Sequence, residues 1–311
     1  VLARAVSADK RVRVLRDGRR GLVGALNAGL AAARAPLVAR MDADDISRPD
    51  RFALQVAFLR DNPDVGVVGG QMASIDGEGL PLGAGTTFPT ASDAIVVALL
   101  SGHSVVAHPT VMGRRDVLTG VGGYRPAYQS AEDLDLWLRV SERTALAVVD
   151  RVVLDYRRHG GQVSRATALR QRFSTLLAVT MAEHRREGLP DPTGDLTEPI
   201  DWHAPLPWGG GAVPPDVADL VRFFRILDVV QTGRTGATAD DLVWAAEHLR
   251  AGTFFRSRRL RTPLLCQAGR ALLGMGRSWP GARAIATGLA RDPVRALAAL
   301  RTAAATASTR S

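Results

Sequence analysis

The sequence lacks the features of a disulfide-stabilised or membrane-spanning protein. It has one cysteine, Cys266, in 311 residues, so no disulfide can form within the chain and a reducing compartment is indicated. No apolar run approaches the roughly 18 residues that a transmembrane helix needs. No secretory signal is recognisable at the first residues. These absences predict a cytoplasmic protein.

Lysine and aromatic residues are also scarce. Lys10 is the only lysine among 40 basic residues, the formal net charge is +9, and aromatic residues make up 5% of the chain. The excess of arginine, with much alanine and glycine, is typical of a GC-rich genome, and no DNA- or RNA-binding motif is present. Nucleic acid is therefore not an expected partner. Weak peripheral contact with the anionic inner face of the cell membrane remains a hypothesis.

A cluster of carboxylates follows an apolar run near residue 40. Residues 36–39 have the composition of a short buried strand, and Asp42, Asp44 and Asp45 come directly after it. Open α/β folds bind ligands at strand ends, and carboxylate oxygens suit Mg²⁺ or Mn²⁺. The segment therefore predicts a cation site that also holds substrate phosphates. An EF-hand is excluded, because the sixth position counted from Asp42 is Ser47 rather than glycine.

Ordinary explanations of this cluster remain open. Acidic turns are common on protein surfaces. In addition, Ser47 and Asp50 have the spacing of a helix capping box, with Pro49 early in the helix. The capping box explains Ser47 and Asp50 but leaves the three aspartates before them without a structural role.

A second acidic pair, Glu132 and Asp133, precedes an amphipathic helix that we predict from Leu134 to about Arg143. Ser130 and Asp133 again have capping-box spacing, so a purely structural role is an open alternative. A carboxylate held at the start of a helix is also well placed to accept a proton. The structural and the catalytic roles are therefore compatible.

The alternation of strand-like and helical segments predicts an α/β fold with a largely parallel sheet over residues 1–164. Residues 165–311 are expected to form a mainly helical region, with a linker rich in Pro and Gly at about 188–215. The main segments predicted for the first region are strands at 11–15, 36–39, 65–70, 146–149 and 152–156, and a helix at 49–61 that presents Phe52, Val56 and Leu59 on one face.

Five segments form a characteristic series in the first half of the chain: residues 21–30, 39–49, 102–115, 120–137 and 156–161. In this order they closely resemble the family 2 glycosyltransferases of bacterial polysaccharide and cell-envelope pathways. The resemblance implies a GT-A fold, with a mixed sheet flanked by helices. It also implies inverting transfer of a sugar from a nucleoside-diphosphate donor, usually UDP-linked, to the hydroxyl of a glycan or lipid-linked acceptor.

The resemblance assigns roles to the two acidic segments. Asp42 and Asp44 match the DxD motif of the family, which holds Mg²⁺ or Mn²⁺ under the donor diphosphate. Asp133 matches the catalytic base, and Glu132 is the next candidate. This division fits the chemistry, because the leaving diphosphate gains negative charge while the attacking hydroxyl loses a proton.

Three further residues receive less specific roles. Asn27, in the first motif, is expected near the donor diphosphate. His159 matches a late histidine that lies near the metal or the diphosphate in some relatives. His108 either lines the acceptor side or has a packing role, and the sequence does not distinguish these alternatives.

The chain departs from the family pattern in two places. The strand and the Asp-rich turn that hold the base and ribose of the donor have no counterpart in this sequence, so we expect weak donor binding unless a longer native product exists. The segment 162–165 is followed by Ala166, where processive synthases have tryptophan, so transfer of single sugars is expected.

Two alternatives to an active enzyme remain at this point. One is a non-catalytic remnant that binds sugar nucleotides or glycans. The other is a scaffold at the membrane surface that uses the basic, aromatic segment 254–260, although we favour the solvated face of a packed helix as the explanation of that segment.

Overall fold

The computed structural model describes residues 2–16, 21–83, 85, 87–158, 165–205, 207, 213–232, 236–252, 258–293, 296 and 299. The chain forms two compact units, Val1–Pro199 and Ile200–Ser311. The division falls within the predicted linker and not at the expected boundary after residue 164. The reason is that helix 165–186 packs against the helix of residues 132–141, which belongs to the first unit.

A mixed sheet of five strands forms the centre of the first unit. The strands are β1 (Leu37–Ala39), β2 (Ile46–Ser47), β3 (Val65–Ile75), β4 (Met112–Arg114) and β5 (Ala145–Arg157). Their order is β1-β4-β3-β5-β2, and β3 and β5 are parallel, whereas the other three pairings are antiparallel. The mixed sheet is confirmed. A largely parallel sheet is wrong, because alternating strands and helices do not by themselves fix the direction of each strand.

Helices surround this sheet. In the first unit they are α1 (Leu2–Ala8), α2 (Gly21–Ala32), α3 (Arg51–Asp61), α4 (Ser92–Leu100), α5 (Arg115–Gly120), α6 (Glu132–Ser141) and α7 (Arg165–Arg186). Helix α6 contacts α4, α7 and β5, and it buries Leu134, Leu136, Trp137 and Leu138 almost completely. It is therefore a rigid element of the core.

Two strand predictions need correction. Residues 12–16 adopt irregular backbone and are not part of the sheet, so the predicted strand at 11–15 is wrong. An alternating pattern predicts which face of a strand is buried but supplies no hydrogen-bonding partner. The two runs predicted at 146–149 and 152–156 form one strand, β5, whose register against β3 shifts between Val149 and Val152.

The buried face of α3 also differs from the prediction. Phe52 is 58% exposed and Val56 is 45% exposed, so the predicted apolar face is wrong at these two residues, whereas Leu59 is buried as predicted. The buried residues are Arg51, Gln55 and Leu59, and the two polar ones are each 0% exposed. Helix α3 therefore packs on the sheet through Leu59, with Leu54 and Phe58 beside it, and through two buried polar side chains.

Hydrogen bonds to the backbone explain this packing. Gln55 Nε2 donates to the carbonyl oxygens of Thr110 (2.7 Å) and Val68 (3.2 Å). Arg51 Nη2 donates to the carbonyl oxygen of Arg40 (2.8 Å). Buried polar groups are tolerated when such bonds replace those to water. The bonds tie α3 to the segment that follows β1.

The second unit is helical, as predicted for the C-terminal region. Its helices are α8 (Pro215–Thr232), α9 (Ala239–Ala251), α10 (Arg258–Gly274) and α11 (Ser278–Arg291). Thr238 and Asp241 form a capping box at the start of α9, and Gly252 ends that helix in the left-handed conformation. Within the described residues, every helix is too short or too polar to cross a bilayer.

Substitution of Gly70 tests the packing of β3 on β5. A Cβ atom at this position would lie 2.4 Å from Cγ2 of Val153, which is buried on β5. We expect Gly70→Ala to lower the free energy of unfolding by about 1–3 kcal/mol, because overpacking displaces the branched side chain. Gly77→Ala is the control, since its Cβ meets nothing within 4 Å. Equal melting temperatures for the two variants would contradict the close packing described for this pair.

Candidate functional site

The three aspartates 42, 44 and 45 lie in the turn between β1 and β2. Asp42 is half-buried and forms a bidentate ion pair with Arg40. Nη1 of Arg40 lies 2.7 Å from Oδ2 of Asp42, and Nη2 lies 2.6 Å from Oδ1. Asp44 is exposed. Two of the three carboxylates are thus accessible at the end of β1, as the sequence predicts.

Asp45 has a structural role that the sequence analysis did not assign. It is buried, and its Oδ1 accepts a hydrogen bond of 2.9 Å from the backbone nitrogen of Arg157. In return, Nε of Arg157 donates to the carbonyl oxygen of Asp44 at 2.8 Å. These two bonds attach the acidic turn to the end of β5.

Arg51 supports the turn from the side of α3. Besides the carbonyl oxygen of Arg40, its Nη2 bonds that of Val111 at 3.2 Å, although Nη1 is buried without a hydrogen-bond partner among the described residues. Burial and the nearby charge of Arg40 lower the pKa of Arg51 to about 10, whereas the charge of Asp45 acts in the opposite direction. The turn is therefore held from two sides.

Negative charge accumulates at this turn. Burial raises the pKa of Asp45, and the charges of Asp42 and Asp44 raise it further. Oδ2 of Asp45 is buried and has no hydrogen-bond partner within the described part of the chain. A divalent cation at the turn would relieve this repulsion, and carboxylate oxygens are suitable ligands for Mg²⁺ or Mn²⁺. The donor set thus fits such an ion.

The turn does not form a complete metal cage by itself. Among the described residues, no group of three His, Cys, Asp or Glu side chains is arranged to hold a metal. Mg²⁺ commonly takes one or two carboxylates and completes its shell with water and substrate phosphates. Asp42 and Asp44 are the residues that would hold it in this way. His159, the third predicted ligand, lies outside the described residues.

Both predicted capping boxes are wrong. Ser47 is part of β2, and the N-cap of α3 is Asp50, without a capping hydrogen bond from its side chain. The N-cap of α6 is Ala131, again without a side-chain bond, and Ser130 adopts a φ of 70°. A positive φ is uncommon for serine and is often found at functional sites. Asp133 therefore forms no capping box with Ser130, although its carboxylate accepts hydrogen bonds from the backbone of Asp133 and Leu134 in the first turn of α6.

Asp133 lies in the first turn of α6 and is fixed by a residue from another segment. Its Oδ2 accepts a hydrogen bond of 2.8 Å from Oγ of Ser104. Burial raises the pKa of Asp133, while the bond from Ser104 partly offsets this effect. Burial also raises the pKa of Glu132, and the charge of Asp133 adds to it. A carboxylate with a raised pKa is a stronger base when ionised.

His108 packs against aromatic side chains. Its Nε2 lies 2.8 Å from the hydroxyl oxygen of Tyr124, and its ring centroid is 6.1 Å from that of Trp137. Burial and the charge of Arg40 lower the pKa of His108 to about 3, so the ring is neutral at physiological pH. These contacts favour the packing alternative for His108.

Asn27 is engaged by the backbone. Its Nδ2 donates to the carbonyl oxygen of Tyr124 at 2.8 Å, and its Oδ1 accepts from the backbone nitrogen of the same residue at 2.9 Å. Gly123 has a φ of +66°, and a Cβ there would approach Oδ1 of Asn27 to 2.7 Å. Asn27 thus anchors the loop before Tyr124 to α2. A contact with the donor remains a prediction.

Sequence reasoning missed several residues of this site. Asp135 is completely buried and pairs with Arg125 and with Arg139, which lies one turn further along α6. The spacing of Asp135 and Arg139 is a recognisable signal for a helical ion pair. No comparable local signal exists for Arg40 or Ser104, because their roles depend on which side chains the tertiary structure places next to them.

Comparisons with known proteins give consistent matches over the first part of the chain. The family model described as glycosyl transferase family 2 matches residues 1–121. An uncharacterized glycosyltransferase of Haemophilus influenzae is 33% identical over 153 residues, which cover 49% of this chain and 56% of that protein. The amylovoran biosynthesis glycosyltransferase AmsE of Erwinia amylovora is 32% identical over 126 residues, which cover 39% of this chain and 44% of that protein.

Solved structures are more distant. The mannosyltransferase PcManGT from Pyrobaculum calidifontis, in complex with GDP-Man and Mn²⁺, matches with a TM-score of 0.38 at 18% identity, covering 93% of this chain and 60% of that one. The chain spans about half the length of each of these two curated relatives.

Removal of the Ser104 hydroxyl tests the environment of Asp133. The hydrogen bond from Ser104 favours the ionised carboxylate, so we expect Ser104→Ala to raise the pKa of Asp133 further. The measurement is an NMR titration of the side-chain carboxyl carbon. Ser101→Ala is the matched control, because Oγ of Ser101 bonds within α4, to the carbonyl oxygen of Val97. An unchanged or lowered pKa in Ser104→Ala would contradict the assigned contact.

Proposed function

We propose that this chain transfers a sugar from a UDP-linked donor to an acceptor hydroxyl with inversion. The chain belongs to glycosyl transferase family 2 through residues 1–121, and the proposed transfer takes place on a GT-A fold. One observation carries the proposal: the first unit presents two acidic sites of different character. The turn at Asp42 and Asp44 is accessible and carries three carboxylates, whereas Asp133 is held by Ser104 and has a raised pKa.

The accessible turn is suited to the donor. Breaking the glycosidic bond places negative charge on the leaving diphosphate, and bound Mg²⁺ or Mn²⁺ would neutralise that charge. Asp42 and Asp44 would hold the ion. Asp45 and Arg157 keep the turn in place, so the two carboxylates need little reorganisation before the donor binds.

Asp133 is suited to the acceptor. The acceptor hydroxyl must lose its proton as its oxygen attacks the anomeric carbon, and Asp133 would receive that proton. Because Oδ2 already accepts the bond from Ser104, Oδ1 is the oxygen that we assign to this step. Attack from the face opposite the leaving diphosphate inverts the configuration at the anomeric carbon.

The acceptor belongs to the synthesis of a polysaccharide, glycolipid or cell-envelope glycan. The match to a glycosyltransferase of amylovoran biosynthesis supports this class. We assign transfer of single sugars, on the cytoplasmic side, to a glycan or lipid-linked acceptor. A screen of nucleoside-diphosphate sugars for transfer and for slow hydrolysis, with Mg²⁺ and with Mn²⁺, tests the proposal. Binding of a donor without either reaction would favour the non-catalytic alternative.

We expect Asp44→Asn to abolish both Mn²⁺ binding and transfer, because it removes a negative charge from the predicted ion site. Isothermal titration with Mn²⁺ and a transfer assay measure the two effects. Asp64→Asn is the control, since Asp64 is an exposed aspartate in the turn before β3. Undiminished transfer by Asp44→Asn, or by the wild-type protein in excess chelator, would contradict the role of the turn.

We expect Asp133→Asn to reduce turnover by about 10²–10⁴-fold, the usual contribution of a general base. Mn²⁺ binding and the melting temperature should stay near the wild-type values, because the asparagine oxygen can accept the same hydrogen bonds from Ser104 and from the backbone of the first turn. Turnover, Mn²⁺ affinity and melting temperature are measured on the same variant. Normal turnover with stability lowered by about 1 kcal/mol would instead indicate a structural role for Asp133 and move the base to Glu132.

A further inference from the structure

Arg40 forms the closest ion pair of the acidic turn. Each of its two terminal nitrogens contacts one oxygen of Asp42, and the side chains of Arg40 and Asp42 are 12% and 37% exposed. Paired, parallel bonds of this kind are the strongest geometry for an arginine–carboxylate contact. In the absence of a metal ion, Asp42 is thus already neutralised by a cation from its own chain.

The backbone of Arg40 is fixed, so its side chain is the part that can move. Its backbone nitrogen donates to the carbonyl oxygen of Val111 at 3.0 Å, and its carbonyl oxygen accepts from Arg51 at 2.8 Å. The guanidinium group, in contrast, is held by Asp42 alone among the hydrogen bonds found for it in the described residues. A competitor for Asp42 would therefore release the guanidinium without disturbing the strand.

The charge of Arg40 acts on both acidic sites. It lowers the pKa values of Asp45, Glu132 and Asp133, which places the guanidinium within electrostatic reach of the turn and of the first residues of α6. Arg40 also lines a cavity of about 680 Å³, together with Tyr124. A ligand can consequently reach this arginine.

We propose that Arg40 is an exchangeable cation of the donor site. In the ligand-free protein it neutralises Asp42. When a divalent ion takes Asp42, the guanidinium leaves that carboxylate and binds the donor diphosphate. This inference rests on the proposed function, because it assumes a metal ion and a diphosphate at the turn.

Two physical arguments support the exchange. A guanidinium and a divalent ion on one carboxylate repel each other, and the repulsion is strong where solvent screening is low. The released guanidinium is planar and weakly hydrated, and it matches phosphate oxygens with two parallel bonds. The donor diphosphate carries two negative charges and gains a third as the sugar leaves, so one divalent ion does not cancel the charge that develops, and the diphosphate provides the new partner.

The test separates metal binding from diphosphate binding. Mn²⁺ alone is titrated first, followed by inorganic pyrophosphate at saturating Mn²⁺, each by calorimetry. We expect Arg40→Met to bind Mn²⁺ alone more tightly than the wild-type protein, because the competing cation is gone. We expect the same variant to bind pyrophosphate about tenfold or more weakly, the usual effect of losing a charge-assisted hydrogen bond.

Arg40→Lys and Arg60→Met provide the comparisons. The lysine variant keeps the competing positive charge but loses the planar guanidinium that makes two parallel bonds. It should therefore keep near-wild-type Mn²⁺ affinity and bind pyrophosphate more weakly. Arg60 pairs with Asp61 through two nitrogens at the exposed end of α3, away from the turn. Arg60→Met should leave both affinities unchanged.

The outcomes distinguish this inference from the proposed function. Wild-type protein that binds no Mn²⁺ overturns the proposed function and the role of Arg40 together. Wild-type protein that binds Mn²⁺, with Arg40→Met binding Mn²⁺ equally or more weakly, overturns only the exchange. A purely structural role for Arg40 would weaken both affinities and lower the melting temperature. If Arg40→Met does not fold, Arg40→Gln is measured against the same expectations.

Discussion

The ion pairs of Asp135 are the interaction on which the position of Asp133, the proposed base, depends. This carboxylate is completely buried and contacts Arg125 and Arg139. Burying charges costs solvation free energy, but removing one partner of a buried pair typically costs about 3–5 kcal/mol, because the remaining charge is left uncompensated. Helix α6 therefore has little freedom to move, and Asp133, half a turn earlier on the same helix, keeps its position.

The same pairs organise the segments around α6. Nη2 of Arg139 donates to the carbonyl oxygen of Gly123 at 2.7 Å, next to the loop that Asn27 anchors. Arg125 also pairs with Asp191. Burial alone would raise the pKa of Asp191, but the charge of Arg125 has the larger effect, and the pKa is lowered to about 2. Asp133 is thus positioned by a network of buried ion pairs, whereas the turn that carries Asp42 and Asp44 is held by hydrogen bonds to the backbone.

This difference suits the two tasks that we propose. A base must be positioned accurately and must keep a raised pKa, and burial on a rigid helix provides both. A site for a metal ion and a diphosphate must be accessible and must exchange partners, and a turn at the surface provides that. Asp45 and Arg51 limit how far the turn can move, while the proposed exchange of Arg40 would change the charge of the turn.

The sequence by itself determined the local elements and the series of motifs. The apolar run before Asp42 and the helical pattern after Asp133 are local, so they were predicted close to their observed limits, and the series of motifs also resembles that of a known family. The tertiary structure decided the direction of the strands and the buried face of α3. It also decided the conformations of Ser47 and Ser130, for which the sequence had predicted capping boxes. It also decided the partners of Asp42, Asp45 and Asp133. The physical reason is that a buried polar side chain is stabilised by whichever partner the fold brings to it. Gln55 bonds the backbone of Thr110 and Asp45 bonds that of Arg157, and neither partner can be recognised from the residues nearby in sequence.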